Sequence, residues 1–412
     1  MTPRGGVWDE VVGQADAVAE LATAAEDPTA MTHAWLFTGP PGSGRSVAAR
    51  AFAAALQCPT LPSGEAPRRD HRVARESASL AVAGAHGCGE CPSCHTAMAG
   101  THTDIREVVP EGLSIGVNEM RALVQLAARQ PAVGRYQIVI ITDADRLTEG
   151  ASNALLKAVE EPSDQTVFLL CAPSEHPDDV AATIRSRCRR VALRSPASEA
   201  VATVLTVRDG VDPETAQWAA SVCGGHIGRA RHLARDAEAR GRRERVLTVP
   251  LGLRGLGDAF GTAAELDRAA MAEADDLSGE RDAVEREELG IAMGAGGVGK
   301  GVAAAARRAK AAEKELEKRQ KVRNTRNRRD VLDLALIDLA GFYRDVLVAG
   351  AGAQVALTSP DRAGDVHRAA REWAPESALR RLEAVLACRE ALDRNVKPLI
   401  ALEAMLVALH RG

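Results

Sequence analysis

Aromatic side chains make up only 3% of the 412 residues, and lysine is scarcer still. Seven lysines (157, 300, 310, 314, 318, 321 and 397) leave 45 of the 52 basic residues as arginine. Few aromatics with abundant alanine favour a helix-rich architecture. No run of about 18 apolar residues occurs, which excludes a membrane-crossing helix of the usual length. Met1–Gly6 lacks the apolar core of a secretory signal, so the expected compartment is the cytoplasm. A net charge of −4 argues against a protein that coats DNA over its whole surface. What remains, 46% apolar and 26% charged, describes a soluble chain long enough for two or three domains with cores of their own.

The stretch that organises the chain is Gly39-Pro40-Pro41-Gly42-Ser43-Gly44-Arg45-Ser46. The apolar run Ala34-Trp35-Leu36-Phe37 precedes it and the alanine-rich segment Val47–Leu56 follows, which predicts strand, glycine-rich turn and helix. Glycines allow successive backbone N–H groups to curl toward one anion, and the helix N-terminus adds its partial positive charge. The phosphate-loop pattern asks for Gly, four residues, Gly, Lys, then Ser or Thr. Gly39, Gly42, Gly44 and Ser46 fit, whereas Arg45 stands where lysine belongs.

Cys88, Cys91 and Cys94 follow one another at two-residue gaps in a chain with eight cysteines. Thiolates so spaced can converge on one tetrahedral ion, with Cys58 as fourth ligand and His95 or His86 as substitutes. An iron–sulfur run wants a further cysteine where Met98 stands, so structural zinc is preferred over free thiols or a redox pair. Before them, residues 59–87 lose periodicity and read as an insertion.

After the cysteines, strands alternate with helices. Strands are expected at Asp104–Val109, Gln137–Ile141, Val167–Cys171 and Arg190–Leu193, with helices at Val117–Arg129 and Ala151–Glu160. Continuous apolar strands alternating with helices predict a parallel, doubly wound sheet. From Pro196 to about Arg240 the pattern is helical. Residues 250–330 are the least globular, and Gly294–Gly301 imitates a phosphate loop without a preceding strand, so a hinge suffices there. Residues 300–329 hold 12 basic residues against three glutamates, readable as a solvated helix or as a DNA or partner contact. Leu332, Leu336, Leu339, Phe342, Tyr343 and Val346 then open a helical C-terminal region.

His33-Ala34-Trp35-Leu36-Phe37-Thr38, the four cysteines and Ala99-Gly100-Thr101-His102 carry a resemblance. So do Asn153-Ala154-Leu155-Leu156-Lys157, Glu160-Glu161-Pro162 and Ser186-Arg187-Cys188. Over residues 11–195 the chain resembles the bacterial DNA polymerase III clamp-loader AAA+ subunits, delta-prime above all, in an actinobacterial form with an enlarged charged segment. The resemblance implies an α/β AAA+ P-loop core over 1–195, with a parallel doubly wound sheet and a zinc module inserted at 58–94. It further implies a small helical lid over 196–245, a charged linker or insertion over 246–330, and an all-α collar over 331–412.

In that family the metal-binding aspartate at the end of the strand corresponds to Thr142 and the water-activating glutamate to Asp143. With Arg45 these are three departures at one site, which implies a degenerate ATPase in which binding of ATP or ADP is doubtful. Arg187 corresponds to an arginine finger reaching the γ-phosphate of a neighbouring subunit, with a local ion pair as the bland alternative. Ser174 and Arg229 fall near the family's phosphate-sensing hydroxyl and lid arginine. The implied partners are the gamma/tau motor and delta subunits, the sliding clamp and primed DNA, at the cytoplasmic, nucleoid-associated replisome. Polymerase activity would belong to the holoenzyme through membership. The rivals are an active motor ATPase of the gamma/tau type and a zinc- and basic-helix-based DNA-binding protein.

Overall fold

The computed structural model describes residues 6–27, 29–59, 87–292 and 302–412, with side chains from 309 onward in the last segment. The glycine-rich stretch 294–301 and most of 59–87 lie outside the described residues. The chain divides into two compact units. The first holds residues up to 110 and 114–230, the second 111–113 and 231–412.

The first unit is built on a five-stranded parallel sheet: β1 (Ala34–Thr38), β2 (Ile105–Val108), β3 (Gln137–Ile141), β4 (Thr166–Ala172) and β5 (Arg189–Ala192), in the order β2-β3-β4-β1-β5. Every residue of β1 and β4 is buried, as expected of central strands covered on both faces. The edge strands β2 and β5 expose Arg106, Arg189 and Arg190. Around the sheet lie α1 (Ala15–Glu26), α2 (Arg45–Gln57), α3 (Pro92–Met98), α4 (Val117–Ala127), α5 (Glu149–Glu160) and the short α6 (Ala182–Arg185). Trp35 of β1 meets Phe52 of α2 edge to face at 4.9 Å, fixing the helix that leaves the glycine-rich loop. Beyond β5 come α7 (Ser198–Val207), α8 (Pro213–Val222) and the start of α9 (Ile227–Arg235). Gly224 and Gly225, both at positive φ, make the turn between α8 and α9.

The second unit is helical: α10 (Ala237–Gly252), α11 (Leu256–Ala292), α12 (Val302–Gly350), α13 (Ala363–Glu372), α14 (Pro375–Asp393) and α15 (Pro398–Arg411). The expected apolar spacing holds, since Leu332, Leu336, Leu339, Phe342, Tyr343 and Val346 of α12 are all buried, in a core with Val385, Leu402 and Leu406. The stretch 246–330, expected as a charged linker or insertion with a solvated helix over 300–329 as one reading, is helical through most of its described length. The reason is a polar seam. Arg323 of α12 pairs with Asp282 and Glu285 of α11, at 2.6 Å from the latter. Gln320 donates to the Asp282 carbonyl at 3.0 Å and Asn327 to Ser278 Oγ at 2.8 Å, and Arg328 pairs with Asp267. Charges that read as a solvated run satisfy one another between two helices. No described helix is long and apolar enough to cross a membrane.

Candidate functional site

The loop from Gly39 to Ser46 connects the buried β1 to α2. Gly42 and Gly44 hold φ of 86° and 88°, a left-handed conformation that favours glycine. A Cβ on Gly42 would also stand 2.5 Å from Cβ of His226, which seats the imidazole against the loop. Burial, and then the charges of Arg229 and Arg45, hold the His226 pKa below its usual value. Its Nδ1 accepts from the Arg229 amide at 3.2 Å. Gln14 fixes the loop from the other side. Its amide donates to the Ser43 carbonyl at 3.2 Å and the Arg194 carbonyl at 2.5 Å, and accepts from the Arg194 amide at 3.1 Å.

Arg45 turns its guanidinium back, and Nη1 donates to the carbonyl of Gly39 in the same loop. At the end of β3, both the amide and the hydroxyl of Thr142 donate to the Val108 carbonyl, at 3.2 and 3.1 Å. That hydroxyl closes the end of the β2–β3 pair, where a metal-binding site would place a carboxylate. Asp143 follows, leading into a short 3₁₀ turn at Ala144–Arg146. Asp145 in that turn has a buried oxygen without a hydrogen-bond partner among the described residues, and burial raises its pKa, helped by the nearby Asp143 charge. Ser174 donates to Asp179 at 2.5 Å and accepts from the His176 amide at 3.0 Å, so its hydroxyl is engaged locally.

Arg187 lies between α6 and β5 with its side chain at the surface, 39% exposed. Nη2 stands 2.7 Å from Glu160 at the end of α5, and Nη1 donates to the Thr183 carbonyl at 2.8 Å and to Ser186 Oγ at 3.2 Å. The ion pair is real but superficial. It leaves the guanidinium reachable from outside.

The cysteines converge. Cys58 caps the end of α2, Cys94 sits in the first turn of α3, and Cys88 and Cys91 lie on the turn before it. Their four sulfurs lie within 4.8 Å of one another, with Cys58–Cys88 at 3.8 Å and Cys58–Cys91 at 4.0 Å. Four sulfurs each about 2.3 Å from one ion in a tetrahedron stand about 3.8 Å apart, so the set fits a thiolate-bound metal. Amides of Cys91 and Cys94 donate to the sulfurs of Cys88 and Cys91, both at 3.3 Å, the outer-layer bonds that orient such ligands. Hydrogen bonding with Cys58 and burial push the Cys91 thiol up to about 12 and Cys94 higher still. Crowded thiols keep their protons until a cation displaces them. His95 is exposed and outside the group, and His86 lies outside the described residues.

Gln14, His226, Asp145 and Glu160 complete these surroundings without having been singled out as site residues from sequence.

A parallel sheet with a glycine-rich loop leaving its buried central strand, followed by a small helical module, defines a P-loop-type α/β domain. Residues 13–197 match the family described as DNA polymerase III, delta subunit. The delta-prime subunit of Pseudomonas aeruginosa is 36% identical over 170 residues, 41% of this chain and 45% of that protein. The tau subunit of Bacillus subtilis is 30% identical over 194 residues, 47% of this chain and 30% of that protein. The delta-prime subunit of the same organism is 28% identical over 242 residues, 59% of this chain and 66% of that protein. The chain thus spans less than half the length of the first two relatives. Over residues 13–197 the chain is thus similar to the delta-prime and tau subunits of DNA polymerase III.

Proposed function

We propose that this chain is a delta-prime-type clamp-loader subunit, a non-hydrolysing stator of the AAA+ ring that lends Arg187 to the ATP site of a neighbour. The observation that carries this reading is Arg45, whose guanidinium is bonded to the loop's own Gly39 carbonyl instead of standing ready for a phosphate. Thr142 supports it, because its hydroxyl is taken by the Val108 carbonyl and carries no charge for a metal. Gly39, Gly42, Gly44 and Ser46 keep the shape of a phosphate cradle, while Arg45, Thr142 and Asp143 lack the charge pattern that hydrolysis requires. Arg187 is exposed, planar and permanently charged, which suits a donor to a γ-phosphate held across a subunit boundary. Zinc on Cys58, Cys88, Cys91 and Cys94 would hold the end of α2 to α3, a structural role. The partners are then the gamma/tau motor and delta subunits, the sliding clamp and primed DNA, in the cytoplasmic replisome.

The test is ATP hydrolysis by the reconstituted loader with clamp and primed DNA. Arg187→Ala should lower turnover by on the order of 10³-fold, the scale of a lost arginine finger, and Arg45→Ala should leave it within about twofold. If Arg45→Ala is the damaging change, the loop hydrolyses ATP and the chain is a motor of the gamma/tau type.

A further inference from the structure

The described basic residues of α12 from 310 to 328 differ by type and by partner. Arg323 and Arg328 face α11 and are paired with Asp282, Glu285 and Asp267, and Arg319 lies 3.5 Å from Glu111. Lys310, Lys314, Lys318 and Lys321 are exposed, and none is ion-paired among the described residues. Their spacing of four, four and three residues puts all four on one face of the helix. They are four of only seven lysines in a chain that elsewhere uses arginine. Glu313, Glu315 and Glu317 share the stretch. At 100° per residue Glu313 and Glu315 fall on its two flanks, and Glu317 borders the stripe, which keeps an excess of positive charge.

We propose that this lysine stripe is a contact for the phosphate backbone of duplex DNA, separate from the phosphate loop and from Arg187. The stripe runs about 16 Å at 1.5 Å per residue, a length over which each DNA strand presents roughly five phosphates. Ammonium groups on flexible stems suit a rail of point charges read without sequence preference, whereas arginine forks suit the fixed carboxylates of the seam. The chain places each type accordingly. The face carries no large aromatic or leucine side chain between the lysines, so it offers neither the wedge a membrane surface needs nor the anchor of a protein hot spot.

The experiment is fluorescence anisotropy of the full chain on a duplex oligonucleotide across salt concentrations. It compares wild type, a Lys310→Gln, Lys314→Gln, Lys318→Gln, Lys321→Gln variant, and the same four positions changed to Arg. The glutamine variant should flatten the dependence of log affinity on log salt by about 3.6, four contacts at roughly 0.9 each, and the arginine variant should keep the wild-type slope. Thermal unfolding should be the same in all three, since the side chains are exposed. No binding of wild type at about 50 mM salt, or equal slopes for wild type and the glutamine variant, would overturn the proposal. So would displacement by polyglutamate as effective, charge for charge, as displacement by unlabelled duplex, which would assign the stripe to an acidic protein.

Discussion

Nη2 of Arg187 stands 2.7 Å from Oε1 of Glu160, with both side chains 39% exposed. The pair ties the end of α5 to the segment ahead of β5, and water screens it. Exposed pairs contribute about 0–1 kcal/mol, so Glu160→Ala should move the melting temperature by no more than about 3 °C. Its effect on the loader should be different in kind. Without Glu160 the guanidinium keeps only the Thr183 carbonyl and Ser186 as anchors. Turnover in the reconstituted loader should change by less than about tenfold, far short of Arg187→Ala. A loss equal to that of Arg187→Ala would make Glu160 indispensable and sink the view of it as a partner at rest.

The sulfur cluster gives a second expectation. The purified chain should carry about one zinc, measured by metal emission spectroscopy, and Cys91→Ser should lose most of it together with several degrees of melting temperature. Because Cys91 is pushed up to about 12 and Cys94 also upward without a cation, protons compete with the metal. Apparent metal affinity should therefore rise with pH, and chelator stripping should be faster at pH 6 than at pH 8. A zinc content near zero in wild type, with no response to added zinc, would leave the four thiols without a ligand role.

The seam between α11 and α12 makes a third. Arg323→Ala would leave Asp282 without its cation and Glu285 with Arg281 alone, at an expected cost of about 3 kcal/mol. The pH dependence has a definite sign. Hydrogen bonding from Arg323 lowers the Glu285 pKa from 4.5 to about 2. The stability from its ionised form is therefore present above about 4.5 and lost as pH falls toward 2. The gap in melting temperature between wild type and Glu285→Gln should be widest near pH 7 and close as pH approaches 2. A gap independent of pH would mean that the Glu285 charge does not stabilise the hairpin.

Legibility followed the range of the interactions. β1, β3 and β4 announce themselves because strands buried on both faces need continuous apolar runs, and the spacing of Cys88, Cys91 and Cys94 announces a sulfur cluster because those three are neighbours in sequence. Gln14 gives no sign of its role in the sequence, since its partner Arg194 stands 180 residues away and nothing in the neighbourhood of either reveals the other. The seam misled for the opposite reason. Asp267, Asp282, Gln320 and Arg323 are buried, yet polar residues that satisfy one another carry the same sequence signature as a solvated run. Arg45 was visible as a substitution, but its bond to the Gly39 carbonyl depends on a loop conformation that periodicity does not encode.

That bond permits a last prediction. Lysine at position 45 has no planar fork and a more compact head, so Arg45→Lys should release the Gly39 carbonyl and leave an ammonium free for a phosphate. Binding of a fluorescent ATP analogue should strengthen by roughly tenfold or more, the scale of one charge-assisted contact. Hydrolysis should stay at background, because Thr142 still directs its hydroxyl to Val108 and offers a metal no charge. Adding Thr142→Asp and Asp143→Glu would restore the charges, at the cost of the Thr142–Val108 hydrogen bond. If Arg45→Lys alone yields turnover, Thr142 is not the barrier, and the loop is one side chain away from a working motor.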